Sequence, residues 1–123
     1  MSTPLRVLVL EDNENDFVLL ARELKRGFGE VELRRVQDPA GLGTALEEPW
    51  DLLISDWSMP HLSALEALGM LRDLDLDIPF LIVSGTIAEE TADEAMRSGA
   101  KGYLLKDEMD KVVPEVRRVL GER

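Results

Sequence analysis

Asp51-Leu52-Leu53-Ile54-Ser55-Asp56-Trp57-Ser58-Met59-Pro60 is an apolar run that ends abruptly in a carboxylate, followed by a short loop stopped by proline. Leu52-Leu53-Ile54 is apolar on both faces of the pleat, the pattern of a strand buried on both sides in a parallel sheet. Open α/β sheets place their ligands beyond the carboxyl ends of such strands, so Asp56 is the residue around which the rest of the chain is read.

Working upstream, Leu5 to Leu10 is apolar apart from Arg6 and reads as a strand ending at Glu11-Asp12. Phe17, Leu20, Ala21 and Leu24 then fall on one helical face, with Asn13 or a nearby polar residue as cap and Gly27 as the stop. Val31 to Val36 alternates apolar and charged residues, as an edge strand does, with Glu32, Arg34 and Arg35 discouraging further pairing. Asp38-Pro39 starts a second helix. Gly41 and Gly43 each cost it about 1 kcal/mol relative to alanine, so it should be short or irregular.

Downstream, a third helix is predicted over 64–74 with Leu65, Leu68 and Leu71 inward. Pro79 introduces a strand over 80–83 that closes at Ser84, and a fourth helix follows over 89–98. Its inward face, Ala88, Ala92, Ala95 and Met96, is mostly small, so it should be easily displaced. Tyr103-Leu104-Leu105 forms a last strand closed by Lys106. The final helix carries Val112, Val116, Val119 and Leu120 on one face, with Pro114 in its first turn. Trp57 is expected to pack at the rim of the crevice, and His61 to be a loop residue.

Five alternations of strand and helix put the chain in the α/β class: a (βα)5 doubly wound, five-stranded parallel sheet in the flavodoxin-like order 2-1-3-4-5, as one domain over 1–123. In that order the first and third strands are neighbours. Glu11, Asp12 and Asp56 therefore converge above the sheet.

The 123 residues contain no cysteine, which excludes disulfides and thiolate metal sites and suits a reducing, cytoplasmic setting. Acidic residues outnumber basic ones 25 to 14, a formal charge of −11, which argues against direct nucleic-acid binding. No stretch is long and apolar enough for membrane insertion, and the N-terminal apolar run is too short for a signal peptide. The glycine pairs complete no dinucleotide fingerprint, and no phosphate-loop lysine motif is present.

Three converging carboxylates repel one another unless a cation sits among them. Mg²⁺ is the economical answer, since it takes oxygen ligands and keeps positions open for waters and a phosphate. Neighbouring strand residues alternate faces, but at a frayed strand end both Glu11 and Asp12 can reach the metal, one directly and one through water. Lys106 offers a compact positive charge to a phosphoryl oxygen, and Ser84 a hydroxyl donor. Asp56, being central, is the best acceptor for a covalent phosphoryl group.

The set Glu11-Asp12, Asp56 followed by Met59-Pro60, Ser84, and Tyr103 three residues before Lys106 resembles the receiver domain of two-component response regulators, over essentially the whole chain. The resemblance implies that Asp56 is phosphorylated by a histidine kinase or phosphotransfer protein, with Mg²⁺ on Asp12, Asp56 and the backbone carbonyl of Ser58. It further implies that Ser84 moves toward the phosphoryl group and Tyr103 turns inward behind it, switching a protein-binding surface on the fourth helix, fifth strand and fifth helix. The downstream partner is not legible, and a stand-alone domain without an output module is expected. Two departures bear on this reading: Ala64 for the usual glycine affects the loop after Asp56, and Asp107 for the usual proline affects the chain beyond Lys106. Two other readings use the same residues. An aspartate-based phosphatase or phosphotransferase would want a second aspartate where Ser58 stands, and a pseudo-receiver would bind partners without phosphorylation.

Overall fold

The computed structural model describes residues 4–57, 59–85 and 89–121. Within them run β1 (Leu5–Leu10), α1 (Glu14–Phe28), β2 (Val31–Val36), α2 (Pro39–Ala45), β3 (Leu52–Ser55), α3 (Ala64–Asp73), β4 (Phe80–Ser84), α4 (Glu89–Arg97), β5 (Gly102–Leu105) and α5 (Val112–Val119). The strands form one parallel sheet in the order β2-β1-β3-β4-β5, as the alternation predicts.

Every residue of β3 and β4 is buried, because helices cover both faces of the sheet. Leu8, Leu10, Leu53, Phe80 and Ile82 pack with Leu42 of α2, Leu68 and Leu71 of α3 and Ala95 of α4. Their alternate neighbours Val7, Val9, Leu52, Ile54, Leu81 and Val83 pack with Leu20 and Leu24 of α1 and Val112 and Val116 of α5. A strand with two apolar neighbours has no polar face to display, which explains the unbroken apolar runs.

Register brings the strand ends level. Leu10 pairs with Ser55, so Glu11 and Asp56 leave the sheet side by side. The Asp56 N–H donates to the Leu10 carbonyl at 2.9 Å, and the Glu11 N–H to the Val36 carbonyl at 3.2 Å.

Helix ends follow local chemistry. Asn13 caps α1 by accepting the Asp16 N–H at 3.0 Å. Gly27 does not stop α1, contrary to expectation. The helix runs on to Phe28 and closes at Gly29, whose φ of 78° suits glycine and whose N–H donates to the Lys25 carbonyl at 2.9 Å. Gly27 serves packing instead: a Cβ there would collide with the Val113 side chain of α5. Asp38 and Pro39 open α2, which is only seven residues long. Ser63 and Glu66 cap α3 reciprocally, at 3.1 and 3.0 Å, so this helix starts at the fully buried Ala64. Its far end reverses through Asp75, at φ 55°, with the Leu76 N–H donating to the Leu71 carbonyl at 2.9 Å.

One further expectation is corrected. Met96 is 41% exposed rather than inward, because Ala92 and Ala95 already fill the buried stripe of α4. Ala88 lies outside the described residues. Beyond Lys106 the chain enters a 3₁₀ helix over Lys106–Lys111, which no periodicity announces. The Leu105 N–H is taken by the Glu108 carboxylate at 3.1 Å.

At the opposite end of the sheet, Trp50 is buried and its indole N–H donates to the Ala45 carbonyl at 2.8 Å. The guanidinium groups of Arg6 and Arg34 lie 4.4 and 5.3 Å from its ring centroid, and both pair with Glu48. This cluster ties β1, β2 and the chain entering β3.

Candidate phosphoacceptor site

The site stands on the ends of β1, β3 and β5. Glu11, Asp12 and Asp56 bring carboxylate oxygens within 4.8 Å of one another, with Glu11 buried, Asp56 half-buried and Asp12 exposed. Lys106 reaches this group from the end of β5. Its Nζ lies 2.9 Å from Glu11 Oε1, 3.1 Å from Asp56 Oδ2 and 2.7 Å from Asp16 Oδ2. An ammonium has three N–H donors, and three carboxylates can take all of them.

Asp16 escaped the sequence reading. It lies in the first turn of α1, and its contact with Lys106 places it over the same crevice. Arg35 is the second such residue. From the edge strand it donates to the Glu11 carbonyl at 3.3 Å, and its guanidinium lies 5.9 Å from the Phe17 ring centroid. An edge-strand arginine reads as a solvated guard, and only the β1–β2 register reveals its reach.

Electrostatics follow from this crowding. Burial pushes the Glu11 carboxyl up, whereas Lys106 and the Asn13 N–H pull it down and Asp56 pushes it up again. Burial would lower the Lys106 ammonium, but hydrogen bonds to Asp16, Glu11 and Asp56 outweigh that and hold it well above the ordinary lysine range. Four carboxylates around one ammonium leave an excess of negative charge. Three of them offer converging oxygens, the donor set that a hard divalent cation such as Mg²⁺ accepts.

The remaining sequence-predicted residues are placed less directly. Ser84, buried, ends β4 and pairs in register with Leu105, one residue before Lys106. Tyr103 pairs with Ile82, below the strand ends, and is 43% exposed. Ser58 lies outside the described residues. Trp57 packs against the core from the rim, as expected, and His61 is exposed.

A five-stranded parallel sheet with acids, a central aspartate and a lysine on the ends of β1, β3 and β5 defines a receiver-type fold. The family model for the response regulator receiver domain matches residues 7–117, and the chain belongs to that family. Among curated relatives, the transcriptional regulatory protein ZraR of Salmonella typhimurium is 30% identical over 81% of this chain and 22% of its own length. PrrA of Mycobacterium tuberculosis, also named a transcriptional regulatory protein, is 29% identical over 96% of this chain and 51% of its own. The chain thus spans about a fifth to a half of these relatives. The signal receiver domain of the response regulator NarL from M. tuberculosis superposes with a TM-score of 0.86 at 24% identity, covering 99% of this chain and 100% of that one.

Proposed function

We propose that this domain is a phosphorylation switch in which Asp56 accepts a phosphoryl group from a histidine kinase or a phosphotransfer protein. The observation that carries the reading is Lys106 Nζ at 3.1 Å from Asp56 Oδ2, beside two further carboxylates. An Asp56 oxygen attacks phosphorus, the P–N bond to the donor imidazole breaks, and the imidazole leaves with its electron pair and takes a proton. Asp56 then carries an acyl phosphate.

Asp12, Asp56 and the backbone carbonyl of Ser58 would hold Mg²⁺, with Glu11 reaching it through water. The ion supplies charge neutralisation for the transferring group. Lys106 pairs with a phosphoryl oxygen as a point charge, and Ser84 donates its hydroxyl to another. Withdrawal of Ser84 toward the site leaves room for Tyr103 to turn inward, altering the surface of α4, β5 and α5. The domain acts in the cytoplasm, a setting that suits its lack of cysteine; among the described residues no helix is long and apolar enough to cross a membrane.

Intact mass after incubation with acetyl phosphate tests the reading. One Mg²⁺-dependent phosphoryl adduct is expected on the wild type and none on Asp56→Asn. No adduct, under conditions that label another receiver, would favour a phosphorylation-independent module. Mg²⁺ binding followed by calorimetry should weaken sharply in Asp12→Ala; equal affinity in both proteins would remove the metal assignment.

A further inference from the structure

Lys106 has three anchors, and they are not equivalent. Glu11 and Asp56 belong to the trio whose oxygens converge within 4.8 Å, whereas Asp16 stands outside it. A divalent cation on the trio draws those oxygens toward itself and repels the nearby ammonium. The contact to Asp16, the shortest of the three at 2.7 Å, is the one that such an ion leaves intact.

We infer that Asp16 is a positioning residue: it holds Lys106 over the strand ends while the metal occupies the other carboxylates, and so sets the rate at which Asp56 is phosphorylated. This rests on the receiver reading given above. Lysine has a flexible four-carbon stem, and an ammonium that wanders into water contributes little to a developing phosphoryl charge. Asp16 is suited to prevent this because its own place is fixed by the first turn of α1, where its N–H is held by Asn13 at 3.0 Å. That backbone contact survives side-chain replacement, so the fold of α1 does not depend on the carboxylate.

The test has two arms. In Mg²⁺-saturated protein the ¹H–¹⁵N signal of the Lys106 ammonium, assigned by its loss in Lys106→Gln, should be visible in the wild type because Asp16 holds its protons from exchange. It should vanish in Asp16→Ala and return in Asp16→Glu. With saturating Mg²⁺ and acetyl phosphate, adduct formation should slow about tenfold in Asp16→Ala, the size expected for losing one charge-assisted hydrogen bond. Asp16→Glu should recover most of that rate, and Asp16→Asn, which keeps the side-chain shape, gives the same comparison should Asp16→Ala fold poorly. An adduct formed equally fast by the wild type and Asp16→Ala, or an ammonium signal unchanged by the substitution, overturns the positioning role alone. No adduct on the wild type overturns the receiver reading and this inference with it.

Discussion

Lys106 is the main correction to the burial of Glu11, whereas for Lys106 itself the Asp16 carboxylate comes first and Glu11 second. The Glu11 carboxyl is raised by burial despite Lys106, so the fold binds its proton more tightly than the unfolded chain does. Its contribution to stability is therefore full below its unfolded pKa and lost as pH rises through the folded value. For Lys106 burial acts downward, but its three carboxylate partners raise it overall, so its contribution persists through neutral pH and is lost only as the solution passes beyond the ordinary lysine range. Replacing Lys106 by methionine removes the largest influence that holds Glu11 down. The Glu11 titration midpoint, followed by carboxyl ¹³C NMR, should move further up in Lys106→Met; an unmoved midpoint would show that the ion pair is not formed in solution. The acidic residues, Asp56 and Lys106 were all legible from strand ends because an apolar run that stops at a charge announces itself. Asp16 and Arg35 were not, since each looks like an ordinary solvated residue until the crossover of α1 and the β1–β2 register bring it over the crevice.

At the level of elements, one exceptional backbone position and one close packing contact make opposite predictions. Asp75 occupies the left-handed region at the end of α3, where glycine meets no steric cost. Relief of about 1–2 kcal/mol is partly offset by the roughly 0.5–1 kcal/mol of extra chain entropy that glycine loses on folding, so Asp75→Gly should raise stability slightly in urea denaturation. Gly27 lies inside α1, where alanine would ordinarily help, yet its Cβ would strike Val113. Gly27→Ala should cost about 1–3 kcal/mol, and Val113→Ala should recover part of that loss in the double mutant. This is also why the end of α1 was misread: a glycine near a helix end resembles a stop, and only the approach of α5 shows that it marks close packing. The 3₁₀ segment after β5 escaped for a related reason, because it buries no side chain and so leaves no apolar period to detect.

For the molecule as a whole, burial is unevenly shared. Helices α1, α3 and α5 contribute leucine and valine to the core, whereas α4 contributes Ala92 and Ala95. Less apolar area means a smaller free energy of local opening, so amides of α4 should exchange with deuterium before those of α1 and α3. Equal protection across the three helices, measured by mass spectrometry, would contradict that account and the ease of displacement it implies. The five-strand order was readable from alternation alone, because buried parallel strands and amphipathic helices have different periods. The direction of Met96 was not, because the arc of a small-residue stripe is set by how closely α4 sits against the sheet.

The two tryptophans of this chain flank one strand, Trp50 before β3 and Trp57 after it, seven residues or roughly 23 Å apart if extended. One is clamped by arginines at the end remote from the acids, and the other follows Asp56 directly. The protein thus carries a built-in optical pair, with an emission that should respond to events at Asp56 and another that should not. In Trp57→Phe, fluorescence should be indifferent to Mg²⁺ and phosphodonor, giving an internal baseline against which the signal of Trp50→Phe can be read.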